Sequence, residues 1–523
     1  MILIMSGAYI APEMQADLGE LPPAFLPLGN RRAFDLQTAE IRRAFPEETI
    51  FLSLPASFEI PHFDRLRLHT LGITPLPIPD RFSLGQSLLH SINTTGRYDE
   101  PLRILHGDTL VKNIPTALDL IATATSEEYY PWEVESSVDG AQQVWCGYFA
   151  FSHVPQLVRN LSLTQGDFVS AIRSYQQTLP IAFVPTTEWH DFGHVNTYYQ
   201  TRARVSTQRV FNEMTIAAGI VHKKSQQQTK IAAEFFWLNN LPESLSTYTP
   251  KIIAPRAGQV HDAGYKTEYQ PYLPLSELFV HCQLPRQSWK KILRLINRLL
   301  QDFQEASVQA QDFNPAQSAK SYAYLVQNKT NHRLEQFVEQ THFPVDTPIQ
   351  LNGRCLPSVK HMIADCQADS LLIPPVYAIS HGDLCFSNIL FDSRMSSLKI
   401  IDPRGLDGFE QPSLFGNLVY DYAKLTHSMI GLYDHILSNR YLLEIREPAH
   451  FQFSIPIEAT TQAIQTSFLR DFTLNGIPPL QVLPLTALLF FSMLPLHPED
   501  KHRQMALLAN GCRLYELWQM ERR

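Results

Sequence analysis

Short apolar runs bounded by turn residues recur at both ends of the chain, and their length separates strands from helices. Met1-Ile2-Leu3-Ile4-Met5, closed by Ser6-Gly7, has no polar position to turn toward water, which predicts the first buried strand of a parallel sheet. Val376-Tyr377-Ala378-Ile379, Ile389-Leu390-Phe391 and Leu398-Lys399-Ile400-Ile401 predict further strands, the last two at hairpin distance, with Pro403 and Gly405 breaking the chain directly after the third. Residues 219–225 also read as a strand, in which Lys223 shares a face with Val221 and Lys224 points the other way. Residues 229–238 carry apolar side chains at helical spacing. Residues 485–496 are the longest apolar stretch and fall short of the roughly 20 residues a membrane span requires, so they predict a core helix and no membrane insertion. The charged run at 498–503, next to His497, predicts a solvated helix start.

Composition narrows the class. The chain has 523 residues, 44% of them hydrophobic, enough for two or three domains with sizeable cores. A net charge of -8 argues against a nucleic-acid partner. Cys146, Cys282, Cys355, Cys366, Cys385 and Cys512 are scattered with no C-x-x-C pair, which predicts reduced thiols in a cytoplasmic protein rather than a zinc site or a disulfide framework. The segmentation expected is 1–205, 206–280 and 281–523, with a short linker near residues 202–209, where no Gly/Ser-rich stretch exists.

The candidate chemistry lies between the C-terminal strands. His381-Gly382-Asp383-Leu384-Cys385-Phe386-Ser387-Asn388 has the H-x-D-x-x-x-x-N spacing in which an Asp takes the proton of an attacking hydroxyl and an Asn turns its amide oxygen to a metal. Asp402 ends the following strand as a second metal ligand, and an oxygen-only set suits Mg²⁺ beside ATP. Each residue alone also suits a turn cap. Lys223 is the candidate clamp on the nucleotide phosphates and Glu234 its orienting partner, with an exposed edge-strand charge as the alternative for the lysine. No G-x-G-x-x-G precedes that strand; Phe211-Asn212-Glu213-Met214 stands where a phosphate-covering loop would lie.

This loop resembles the catalytic segment of the aminoglycoside phosphotransferase and choline kinase superfamily, whose signature is H-G-D followed five residues later by Asn. The likeness implies a two-lobed, protein-kinase-like α+β domain, with residues 265–279 completing the small lobe and hinge. Residues 417–425 resemble the helix whose Asp braces the catalytic loop, a role that falls on Asp421, with a solvated helix Asp as the alternative. Cys385 departs from the superfamily's usual His.

The N-terminal half resembles the sugar nucleotidyltransferases, on the segments Leu21-Pro22-Pro23-Ala24-Phe25-Leu26-Pro27-Leu28-Gly29-Asn30, His106-Gly107-Asp108 and Trp189-His190-Asp191-Phe192-Gly193. The likeness implies an α/β domain with a mostly parallel sheet, metal ligands at Asp108 and Asp191, and CTP or another NTP as substrate. The family's glycine-rich loop with its Arg is not visible after Ser6-Gly7, and Pro23 occupies the place of its Lys. A domain that keeps the fold without catalysis is therefore the alternative. Paired activities of this sort resemble bacterial capsule and surface-polysaccharide proteins: a kinase phosphorylates a small alcohol or sugar, and a nucleotidyltransferase activates the product. His106 and His381 suit either catalysis or the fixing of a turn, and Arg404 suits either a substrate anion or an internal salt bridge.

Overall fold

The computed structural model describes residues 1–128, 130, 132–136, 142–205, 212–225, 227–253, 264–308, 310 and 312–522. It separates into two units, Met1–Ser206 with His281–Gln283 and Thr207–Val280 with Leu284–Arg523.

The first unit is built on one twisted sheet. Ile2–Met5, buried at every position as its unbroken apolar run requires, lies parallel to both Ile50–Pro55 and Leu102–His106. Ile73–Ile78 extends the parallel side, while Gln142–Phe151 runs antiparallel between Leu102–His106 and Leu120–Ala124. Helices Val154–Leu163 and Phe168–Gln176 cover one face through Val154, Leu157, Leu161, Ala171, Ile172 and Tyr175. This is the mostly parallel α/β arrangement expected from the sequence. Chain direction matters for function here, because the turn at Gly107-Asp108 leaves the carboxyl end of a central strand, where open sheets place their ligands.

The second unit pairs a small sheet with a larger, mainly helical part, the α+β layout that the resemblance of the His381–Asn388 loop implies. Its sheet is Asn212–Ala217, Ile220–Ser225 and Gly264–Glu268, antiparallel throughout, backed by the helix Gln228–Asn240. Asn212 to Met214, which stand where a glycine-rich phosphate-covering loop would lie, begin a strand; Phe211 and the 206–209 part of the expected linker lie outside the described residues. The reason is local, since Ala218 and Gly219 at φ 49° and 75° close a two-residue hairpin and leave no length for a loop.

In the larger part, Leu483–Met493 is buried at every position, as a helix that is apolar all round must be. The window Pro479–Leu496 is apolar enough to cross a membrane by composition, and 78% of it is buried inside the fold. Lys501–Glu521 packs beside it, started by the Asp500 carboxylate, which accepts the Arg503 N–H at 3.0 Å.

Candidate active site

Lys223 sits on the middle strand of the small sheet, opposite Met214 on one side and Tyr265 on the other, and its side chain is buried. Its Nζ donates to Glu234 Oε2 at 2.5 Å and to Asp402 Oδ1 at 2.9 Å, while Tyr265 donates its hydroxyl to the same Glu234 oxygen at 2.9 Å. Burial works against the Lys223 charge, but Asp402 and Glu234 outweigh it and hold the ammonium above the ordinary lysine value. Three of the residues singled out by the sequence therefore meet at one point. The turn that delivers Asp402 needs Gly405: at φ 62° it passes the helix Gln228–Asn240 so closely that a Cβ would stand 2.1 Å from the Ala233 carbonyl oxygen. Asp402 itself is left-handed, at φ 59°, an uncommon conformation that aims its carboxylate back toward the lysine.

The loop from His381 to Asn388 follows the strand Tyr377–Ile379. Asn388 donates its amide to the Asp383 carbonyl at 2.8 Å and to Asp383 Oδ2 at 3.2 Å, while its amide oxygen accepts the Ser387 hydroxyl at 3.3 Å and keeps a second lone pair for a cation. Two backbone bonds tie this loop to the Asp402 turn, Ile401 N–H to the Asn388 carbonyl at 3.0 Å and Arg404 N–H to the His381 carbonyl at 2.8 Å. His381 is fully buried; one ring nitrogen meets the Ile401 carbonyl at 2.9 Å and the other accepts the Asp383 N–H at 3.3 Å. Burial pushes its pKa down to about 4, so it is a neutral turn-fixing residue. Asp421, on the helix Leu418–Met429, accepts the His381 N–H at 2.9 Å, the loop-bracing contact expected of it. Cys385 is buried with its thiol raised to about 12, an inert packing group.

Sequence reasoning missed Lys424, whose Nζ lies 2.8 Å from Asp383 Oδ1. Its signal was its place three residues after Asp421, on the helix face that looks at the loop. Burial alone would raise the Asp383 carboxyl, but Lys424, His381 and Arg404 bring it down to about 2. An acid that strong is ionised throughout the physiological range, which suits it to accepting a hydrogen bond more than to taking up a proton.

In the first unit, Thr109–Val111 pairs antiparallel with Trp189–Asp191, and this ladder brings Asp108 and Asp191 to the same turn. Phe192 N–H donates to the Asp108 carbonyl at 2.7 Å, and a Cβ on Gly193 would stand 2.7 Å from Asp108 Oδ2 and 3.4 Å from Asp191 Oδ1. Asp191 is held by the Thr197 hydroxyl and by His194 Nδ1 at 2.9 Å. His106 packs between Phe149 and Phe168, and burial lowers it to about 4, the signature of a core histidine. No Lys or Arg occurs before Arg31, so the expected loss of the family's cations extends through the whole segment around Pro23. Among the described residues no three His, Cys, Asp or Glu side chains cluster as a metal cage.

Burial first, and Asp191 second, push the Asp108 carboxyl up to about 6. A folded-state value above the unfolded one makes ionisation cost stability: the penalty begins as pH rises past the ordinary carboxylate value and is complete above about 6. Asp108→Asn should therefore raise the unfolding temperature at pH 7.5, by at most about 3 kcal/mol in stability, and leave it unchanged at pH 4. Equal effects at both pH values in thermal scans would show that the Asp108 carboxyl is not raised.

No family model matches the chain, and no curated protein matches it. Solved structures similar to parts of it include the nucleoside-diphosphate-sugar pyrophosphorylase from Vibrio cholerae RC9, at 13% identity and TM-score 0.32 over 39% of this chain and 99% of that one. A choline/ethanolamine kinase family protein from Mesorhizobium loti is similar at 10% identity and TM-score 0.34, over 59% and 86%. The GDP and kanamycin complex of APH(2")-IIia is similar at 14% identity and TM-score 0.35, over 60% and 91%. Likenesses this distant carry no argument about activity, which rests on the side chains described above.

Proposed function

We propose that the second unit is an ATP-dependent phosphotransferase acting on a hydroxyl of a small molecule such as a sugar, polyol or amino alcohol. The observation that supports it most is the convergence of Lys223 on both Glu234 and Asp402, with the Asp383–Asn388 loop tied to the Asp402 turn through the backbone. Asn388 and Asp402 would hold Mg²⁺, which neutralises the phosphate oxygens when bound; two oxygen donors from the protein fit a cation that keeps water and phosphate as its other ligands. Lys223 would exchange one carboxylate for the nucleotide phosphates, and Glu234 would keep it aimed. Asp383 would orient the acceptor hydroxyl. The oxygen–phosphorus bond to the acceptor forms as the bond from the γ-phosphorus to the ADP oxygen breaks, and the hydroxyl proton passes to Asp383 and then to water.

A second reading has the first unit transfer a nucleotide from CTP or another NTP to the phosphorylated product, with Asp108 and Asp191 as metal ligands. The shared turn of those two carboxylates favours it; the cation-free segment before Arg31 favours a first unit without turnover. Supply of a precursor for surface polysaccharide in the cytoplasm is the setting in which the two activities belong together. Incubation with Mg²⁺, ATP, CTP and a panel of small alcohols and sugars, read by product mass, decides among them. ADP with a phosphorylated acceptor supports the first reading. Pyrophosphate with a nucleotide-linked product, lost in Asp108→Asn and Asp191→Asn, supports the second, and neither product overturns both.

A further inference from the structure

The phosphoryl-transfer reading uses one cation, Lys223, for the nucleotide, yet four others gather around Asp383. Lys329 ends the π-helical turn Leu325–Lys329, and Arg333 follows four residues later on the helix Thr330–Thr341, so both side chains leave the same helix face. With Tyr420 they line a cavity walled by Leu485, Leu488 and Leu489. Tyr420 stands one turn before Lys424, the residue bonded to Asp383, and the Arg404 guanidinium lies 5.8 Å from the centre of its ring. Arg404 also packs on the catalytic loop: Gly382, at φ 74°, approaches it so closely that a Cβ would stand 2.7 Å from the Arg404 Cβ. Lys329, Arg333 and Arg404 thus all stand beside Tyr420, one helical turn from the lysine bonded to the carboxylate that would receive the acceptor hydroxyl.

Charge in this cavity is not balanced by the protein. Among the described residues no carboxylate lies within ion-pair distance of Lys329, Arg333 or Arg404, and the Arg333 guanidinium has the Ser492 carbonyl at 3.1 Å as its bonded neighbour. Asp383 is already engaged by Lys424. Burial, together with the charges of Arg404, Arg333 and Lys424, pushes the Lys329 ammonium down to about 6. Uncompensated, partly buried cations are costly, which is why Lys329 sheds its proton above about pH 6, and an anion that entered among these side chains would restore its charge and relieve the cost through charge-assisted hydrogen bonds. The nucleotide is a poor candidate for that anion, because its own cation lies on the small sheet, whereas Lys329 and Arg333 project from helical turns of the larger part and Arg404 from the turn after the strand Ser397–Ile400.

We propose that the acceptor carries, besides its hydroxyl, an anionic group, a carboxylate or a phosphate, that seats among Lys329, Arg333 and Arg404. This rests on the phosphotransferase reading and narrows it, away from neutral polyols and amino alcohols.

Glycerol, ethanolamine, glycerate and glycerol 3-phosphate test it with the full chain, Mg²⁺ and ATP, since they are small hydroxyl compounds of different charge. At least one of the two anions should exceed both uncharged and cationic compounds in kcat/KM by tenfold or more. Arg333→Ala and Lys329→Met should then raise KM for that anion about tenfold or more with kcat and KM for ATP little changed, and Arg333→Lys should recover part of the loss. The two anions separate a carboxylate site from a phosphate site. Glycerol or ethanolamine used as well as the anions overturns the inference while the kinase reading stands, and so does a rise in KM for ATP instead of acceptor. Should no compound yield ADP, calorimetric binding of the two anions decides: binding that weakens tenfold in Arg333→Ala upholds the basic site although the kinase reading fails, and no such binding overturns it.

Discussion

Asp383→Asn is expected to lower ATP-dependent phosphorylation by roughly 10²–10⁴-fold, the range over which a positioned acid–base group contributes, while KM for ATP stays within a factor of a few. The carboxylate is held ionised at about 2 by Lys424, His381 and Arg404, so the pH profile of the native protein should show no acid limb from this group above pH 4. A limb near neutrality belongs instead to Asp421, which burial raises to about 7 while the loop N–H groups pull against it. The substitution also leaves the Lys424 ammonium without its charge partner 2.8 Å away. Asp383→Asn/Lys424→Met is therefore the control: it should recover stability and remain inactive. If pyrophosphate is released from CTP with a phosphorylated acceptor supplied, that signal should survive Asp383→Asn. An unchanged rate of ADP formation in the single variant would mean that the loop carboxylate takes no part.

The parts of this site that could be read in advance are those set by short-range geometry. Asp383 and Asn388 belong to one loop, so their spacing alone implies that Asn388 can fold back on Asp383, and it does, at 3.2 Å. Strand alternation sorted Lys223 from Lys224, and the buried face is the one that carries Lys223. The helical spacing in residues 229–238 put Glu234 on a helix, and a two-residue hairpin fixed the register of the Lys223 strand against Asn212–Ala217. What escaped depends on packing between elements far apart in the chain. Tyr265 reaches Glu234 only because the third strand of the sheet pairs with the second, and Lys424 reaches Asp383 only because its helix docks under the loop. Lys329 and Arg333 belong to no motif. Their chemistry emerges from a π-helical turn that points them at Tyr420, and a sequence containing a lysine and an arginine four residues apart reads as an ordinary solvated helix face.

Lys223→Met is expected to reduce both activity and stability, and the two losses can be separated. The lysine is 6% exposed and satisfies two carboxylates at once. Removing it leaves Glu234 and Asp402 facing each other with no cation between them, and breaking such a buried pair costs about 3 kcal/mol, toward the lower end of its range because Asp402 retains some contact with water. Lys223→Met/Glu234→Leu removes one of the two stranded charges and replaces the pair with apolar groups of similar length. At least half of the lost stability should return, measured on the unfolding transition that ATP shifts upward. Activity should not return, because no cation remains to meet the nucleotide phosphates: both variants should stay at least about 10²-fold below the native rate. The contrast is the point of the design. If the double variant regains stability and turnover together, Lys223 serves only to neutralise its neighbours, and the phosphate clamp must be sought among the other cations of the second unit.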